Sequence, residues 1–177
     1  MVPVIESRIR LIHGDITRID ADAIVTAANS ALRGGGGVDG AVHGAAGPEL
    51  LAASLALAPC PAGEARITDG FKLTSRFVIH AVGPIFSDLD VDSLVLAAAY
   101  KSALSLAAEQ RVKSVAFPCI STGVFGFPHD AACDIAIATV MEWLGTHPDP
   151  EKVIFCCFGT QDFDRYHERL EKLGVVP

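Results

Sequence analysis

The chain has 177 residues, half of them apolar and 20% charged, a balance that excludes intrinsic disorder and suffices for one domain with a substantial core. With 21 Asp and Glu against 14 Lys and Arg its net charge is −7, which disfavours general attraction to nucleic acid, so any phosphate it binds should be held locally by backbone amides and dipoles. The five cysteines are odd in number and include no CxxC pair, the N-terminus lacks a signal-peptide pattern, and no uninterrupted apolar run approaches about 18 residues. We therefore expect a single soluble, cytoplasmic domain over residues 1–177, with reduced, buried thiols and no membrane partner.

In chain order, residues 8–13 alternate as a strand and residues 23–28 form a short apolar run suited to a buried strand. Residues 40–46 and 48–58 read as helices, with Pro48 placed at a first turn. A weak strand at 64–68 precedes a clear one at 77–82. Residues 92–110 form a long helix with Asp92 or Ser93 as its cap, and Leu94, Ala97, Ala98, Lys101, Leu104 and Ala108 sharing faces. A strand at 112–118, a helix at 129–144, a strand at 152–158 and a helix at 162–173 complete the pattern. This alternation argues for an α/β sandwich with helices on both faces of the sheet.

In such sheets ligands sit outside the carboxyl ends of the strands, so the loops after strands are the places to look. Three stand out: Gly14-Asp15-Ile16-Thr17, the stretch from Asn29 to Asp39, and the stretch from Ile120 to Pro128. The second contains four consecutive glycines, Gly34, Gly35, Gly36 and Gly37, followed by Val38, Asp39 and Gly40. Each glycine costs roughly 0.5–1 kcal/mol relative to Ala in regular structure, so such a run points to a site where backbone amides approach an anion closely. The third, Ser121-Thr122-Gly123-Val124-Phe125-Gly126-Phe127-Pro128, offers hydroxyls and amides ahead of a helix and suits a diphosphate held from the opposite side. The Gly-Lys-Ser/Thr ending of a Walker loop and the spacing of a dinucleotide fingerprint are both missing, so neither ATP hydrolysis nor nicotinamide chemistry is supported.

Gly14-Asp15-Ile16-Thr17, Ala27-Ala28-Asn29, residues 34–43 and residues 120–128, in this order, closely resemble the macrodomain family, specifically its MacroD-type branch. The resemblance spans nearly the whole chain. It implies a three-layer α/β/α sandwich with a mixed central sheet, a deep cleft for ADP-ribose, and hydrolysis of ADP-ribose esters, including deacetylation of O-acetyl-ADP-ribose and removal of mono-ADP-ribose from acidic side chains. The partners implied are ADP-ribose, its esters and mono-ADP-ribosylated proteins. No cofactor is implied.

Carried over by position, Asp15 accepts a hydrogen bond from the adenine amine, with the Ile16 amide nearby, and Phe158 stacks on adenine; Phe163 and Tyr166 are weaker candidates for that stacking. A carboxylate can only accept, which favours adenine over a base presenting a carbonyl, although a helix-cap role suits Asp15 as well. Asn29 binds the distal ribose and Asp39 orients ribose and the reactive water. Gly36, Gly37 and Val38 on one side, with Ser121, Thr122, Gly123, Val124 and Phe125 on the other, hold the diphosphate. Water held between Asp39 and a substrate phosphate is then expected to attack the ester carbonyl or the anomeric carbon.

No metal is expected, because His43, His80 and His129 are scattered without ligand spacing and read as structural or rim residues. Cys119 reads as a buried thiol. Two positions depart from the family pattern: Thr26 stands where an Asn is common, and Gly44 where an Arg is common. A non-catalytic ADP-ribose reader and an ADP-ribose 1″-phosphate phosphatase remain alternatives. An RNA-binding role ranks lower, given the acidic charge and the lack of an aromatic and basic platform.

Overall fold

The computed structural model describes residues 4–176. Its elements are β1 (Ile9–His13), β2 (Ala23–Ala27), α1 (Gly37–Ala46), α2 (Pro48–Leu55), β3 (Ala65–Asp69), β4 (Phe77–Ala81), α3 (Val91–Glu109), β5 (Ser114–Phe117), α4 (His129–Thr146), β6 (Lys152–Cys157) and α5 (Thr160–Lys172). Every element read from the sequence is present. Short 3-10 turns, Ile5–Arg8 and Ile16–Arg18, flank β1.

The six strands form one sheet in the order β1-β6-β5-β2-β4-β3. All neighbours run parallel except β3, which pairs antiparallel with β4, so the sheet is mixed. Successive side chains on a strand point to opposite faces, and the core divides accordingly. Ala23, Val25, Ile79, Val115, Phe117, Val153 and Phe155 pack under α3, α4 and α5. Ile24, Val78, Ala116, Ile154 and Cys156 pack under α1 and α2 with Val42, Ala46 and Leu50. Covered on both faces, β2 buries Ala23, Ile24, Val25 and Thr26 in succession, which is why it reads as an unbroken apolar run rather than an alternating one. The result is the three-layer α/β/α sandwich.

The long helix α3 differs in detail from its sequence reading. Its core face is Leu96, Ala99, Tyr100, Ala103, Leu104 and Ala107, so Leu104 of the expected set is buried, whereas Leu94 is 72% exposed. Asp92 does not cap the helix; Asp90 is the N-cap position, and the Asp92 carboxylate accepts hydrogen bonds from the Ser87 amide at 2.7 Å and the Ser87 hydroxyl at 2.8 Å, tying down the preceding loop. By length and composition α3 could cross a membrane, yet here one face of it, from Leu96 to Ala107, packs into the core against the sheet and α4. The cysteines are all free; Cys60, Cys133, Cys156 and Cys157 are buried and Cys119 half-buried.

His80, on β4, is 1% exposed and its Nε2 lies 3.0 Å from the Thr68 hydroxyl on β3. Burial, with a smaller contribution from His43, pushes its pKa down from 6.5 to about 4. Between those values the unfolded chain binds a proton that the folded chain refuses, so stability present above pH 6.5 is lost as the pH falls toward 4. At about 1.4 kcal/mol per pH unit, the loss is about 3 kcal/mol. His80→Gln, which keeps a partner for Thr68 but does not titrate, is expected to lose that much less stability in urea melts between neutral and acidic pH; parallel pH dependences would refute the assignment.

Candidate functional site

Because β1, β6, β5, β2 and β4 are parallel, the loops after them leave from one edge of the sheet. That edge carries every loop singled out in the sequence.

The loop after β2 is braced from within. Asn29 Nδ2 donates to the Gly34 carbonyl at 2.8 Å, and Asn29 Oδ1 accepts from the Arg33 amide at 3.3 Å. Gly34 and Gly37 have φ of 78° and 55°, conformations that favour glycine. The Gly37 geometry starts α1 inside the glycine run, three residues before the helix start read at Gly40. Gly40 is glycine for a different reason, since a Cβ there would stand 2.7 Å from the Gly35 carbonyl oxygen. The start of α1 has no side-chain cap, so the unpaired N–H groups of its first turn, at Gly37 and Val38, remain available to a ligand.

Asp39 sits in that first turn, 4% exposed. Its Oδ1 accepts from the Thr26 hydroxyl at 2.8 Å and lies 3.6 Å from His43 Nε2. Thr26 thus uses the hydroxyl that it keeps. Burial raises the Asp39 pKa above the ordinary carboxylate value, opposed by the Thr26 hydrogen bond and then by His43. Its Oδ2 faces the loop, 3.6 Å from where a Cβ on Gly35 would be.

The loop after β5 closes the opposite side. Ser121 is 5% exposed with φ of 68°, and its hydroxyl donates to the Pro84 carbonyl at 2.9 Å. The Phe127 amide donates to Ser121 O at 2.9 Å and the Gly126 amide to Gly123 O at 3.0 Å, which shapes a compact turn. Gly83, after β4, permits this approach: a Cβ there would meet Ser121 Oγ at 2.1 Å.

Between the two loops lies a cavity of about 330 Å³. Asn29, Gly36, Gly37, Val38 and Asp39 form one side, and Ser121, Gly123, Val124 and Phe125 the other, so these expected site residues converge. Thr122 is outside the lining; its hydroxyl turns back to the Cys119 carbonyl at 3.2 Å, while half-buried Cys119 itself lines the cavity. Asp15, Ile16 and Phe158 lie beyond the cavity, at the carboxyl ends of β1 and β6, where the Gly14 amide donates to Cys157 O at 3.0 Å. Asp15 Oδ1 does serve as a cap, accepting from the Thr17 amide and hydroxyl, and these hydrogen bonds lower its pKa. Oδ2 lies 3.9 Å from Arg18 Nε. Phe158 is 78% exposed. Phe163 stacks on His13, and Tyr166 is buried against Phe155 in the core.

The histidines are less scattered than their sequence spacing suggests. His43 and His80 come together beside Asp39, with one donor atom from each of the three within 4.8 Å of the others. These are the residues among those described that could hold a cation, although Asp39 and His80 already have hydroxyl partners in Thr26 and Thr68. The sequence signal for His43 was its position one helical turn after Asp39, on the same face of α1. His80 had no such signal, because the sheet alone brings it near.

The macro domain family model matches residues 25–136, from β2 into α4. This chain belongs to the macrodomain family. A macro domain-containing protein of Ralstonia nicotianae is 49% identical over 97% of this chain and 99% of its own. The ADP-ribose glycohydrolase MACROD1 of Bos taurus is 47% identical over 94% of this macrodomain, which spans about half (52%) of that relative's length. Among solved structures, a mutant Oceanobacillus iheyensis macrodomain with ADPR superposes with a TM-score of 0.88 at 43% identity, covering 92% of this chain and 91% of that one. The MacroD-type resemblance and the mixed-sheet sandwich expected from it both hold.

Proposed function

We propose that this macrodomain binds ADP-ribose along the carboxyl edge of the sheet and hydrolyses ADP-ribose esters, deacetylating O-acetyl-ADP-ribose and releasing mono-ADP-ribose from acidic side chains. The observation that carries the reading is a buried, raised-pKa Asp39 carboxylate on one wall of a cleft lined by uncapped helix amides. MACROD1, named as an ADP-ribose glycohydrolase, and the solved relative with ADPR support it.

The strand order suits an elongated ligand. From β1 to β2 is three sheet spacings, roughly 14 Å at about 4.8 Å per strand. Adenine lies between Asp15 Oδ2, the Ile16 amide and the exposed Phe158 ring. The diphosphate meets the N–H groups of Gly37 and Val38 on one side and the amides of the loop from Ser121 to Phe125 on the other, so the dipole of α1 offsets its charge without a lysine. The distal ribose reaches Asn29 and Asp39.

Asp39 acts as general base or orienting acceptor for a water held against a substrate phosphate oxygen. Thr26 and His43 engage Oδ1, so Oδ2, beside the Gly35 backbone, is the oxygen assigned to that water. Attack at the ester carbonyl or the anomeric carbon follows, with the water proton passing toward the carboxylate. Amides at the α1 start stabilise negative charge that develops at a carbonyl.

Measuring turnover of O-acetyl-ADP-ribose and of a Glu-ADP-ribosylated peptide, beside calorimetric ADP-ribose binding, tests the reading directly. A second expectation concerns loop shape. Gly40→Ala forces the Gly35 carbonyl outward by its added Cβ and is expected to weaken ADP-ribose binding by about tenfold, roughly 1.4 kcal/mol. Unchanged affinity in calorimetry would mean that the loop yields without consequence.

A further inference from the structure

A second cavity, an open crevice of about 640 Å³, lies on the far side of the glycine loop. Arg33, Gly34, Gly35, His43, Gly44 and Leu51 line it. Its dividing wall from the cleft is thin. Gly35 lines both cavities, and the His43 ring lies under Gly34, where a Cβ would be 3.8 Å from the ring, with Nε2 3.6 Å from Asp39. Above the His43 ring, the rim between the two cavities is formed by Gly35, Gly36 and Gly37, which are exposed and carry no side chains, so a group leaving the cleft over this rim meets backbone alone. At the crevice floor Gly44 leaves open space, with nothing within 4 Å of a Cβ.

The crevice is electrically unlike the rest of the molecule. In a chain of net charge −7, none of its lining residues is a carboxylate. The nearby acid Glu49 stands at the Gly47 end, where Lys72 accompanies it. Arg33 is exposed, and its guanidinium makes no hydrogen bond or ion pair with the described residues. Half-buried His43 adds a second nitrogen base, and partly exposed Leu51 an apolar contact.

We propose that this crevice docks the polypeptide flanking an ADP-ribosylated acidic residue, and that it selects acidic flanks through Arg33. The inference rests on the ADP-ribose reading of the cleft and extends it from the nucleotide to the protein that carries it. The free cation and the open Gly44 floor are arranged for an anionic chain, and the shared Gly35 wall joins that chain to the reacting bond.

The test compares calorimetric binding of free ADP-ribose with that of one peptide ADP-ribosylated on Glu, in acidic-flank and lysine-flank versions, using a turnover-blocked Asp39→Asn background. The acidic peptide is expected to bind about tenfold tighter than free ADP-ribose. Arg33→Glu, or filling the crevice with Gly44→Met, is expected to erase that gain and leave free ADP-ribose affinity unchanged. Equal affinity for all three ligands, or a gain that survives both substitutions, would overturn the crevice proposal. Turnover by the protein without the Asp39 substitution is read separately. If it cleaves neither ester while the peptide gain is present and lost in the variants, the hydrolase reading fails and the docking site stands. If free ADP-ribose binds neither in this background nor to the protein without the Asp39 substitution, both fail.

Discussion

Asp39→Ala is expected to lower turnover of O-acetyl-ADP-ribose and of a Glu-linked ADP-ribose by about 10²-fold or more while the variant still binds ADP-ribose. The expectation follows from position. The carboxylate is 4% exposed, lines the cleft, is fixed through Oδ1 by Thr26, and has its Oδ2 against the Gly35 backbone. Only its charged form can accept a proton, and burial has raised its pKa, so the acidic limb of the rate profile should lie above the range of an ordinary carboxylate. Raised pKa also has a stability sign. Between the unfolded and folded values the native state holds the extra proton, so stability falls as the pH rises through that window, and at neutral pH the charged Asp39 is a burden on the fold. Asp39→Asn should therefore melt above the wild type at pH 7, with the gap closing on acidification, while losing turnover to the same degree. Tight ADP-ribose binding by the wild type with no turnover of either ester would mean a reader, and the proposed role of Asp39 would be abandoned.

Arg8→Ala is expected to be the costliest single truncation outside the cleft. Arg8 is 2% exposed, and its guanidinium donates to five backbone carbonyls: Leu144 at 2.8 Å, His147 at 3.0 Å, Pro148 at 2.9 Å, Pro150 at 2.7 Å and Glu151 at 3.3 Å. These carbonyls belong to the end of α4 and the turn that leads into β6, where the helix dipole also favours a cation. Burial lowers the Arg8 pKa, countered by Asp149 and Glu151, and the dense acceptor set offsets the cost of removing the charge from water. Truncation leaves those oxygens without their donor, at a cost of about 3 kcal/mol. For a chain of this size that is a drop of roughly 6–12 °C in melting temperature. Arg8→Lys should recover less than half, because an ammonium has three donors and no planar fork. Since this cluster lies at the amino edge of the sheet, opposite the cleft, ADP-ribose affinity below the melting range should not change. A melting shift under 2 °C for Arg8→Ala would contradict the account.

Legibility from sequence varied with the reach of the forces involved. The short β-branched and apolar runs, the glycine run before Asp39 and the order of the loops are local signals, and the corresponding elements and cleft residues appear where they were expected. The core face of α3 is only partly legible, Leu104 among the expected residues being buried and Leu94 exposed, because alanines stand on every side of that helix and periodicity carries little contrast; only contact with the sheet and α4 selects Leu96 and Tyr100 over Leu94. Asp92 was misread because a carboxylate in a first turn can serve either a cap or a neighbouring loop, and the fold of residues 87–89 decides between them. Nothing near Arg8 in the chain announces five acceptors that lie more than a hundred residues away.

The sequence by itself determined the alternation of strands and helices, the placement of glycines where the backbone must turn left-handed, and the carboxylate that follows them. These depend on φ preference, period and capping, which act within a few residues. Tertiary structure alone decided the strand order that lines up Asp15, Phe158, Ser121 and Asn29 along one edge, the meeting of Thr26, His43 and His80 around Asp39, and the placing of Gly35 in the lining of both cleft and crevice. Those arrangements arise from hydrogen bonds and excluded volume between segments distant in the chain, and such terms exist only once the sheet has brought the segments together.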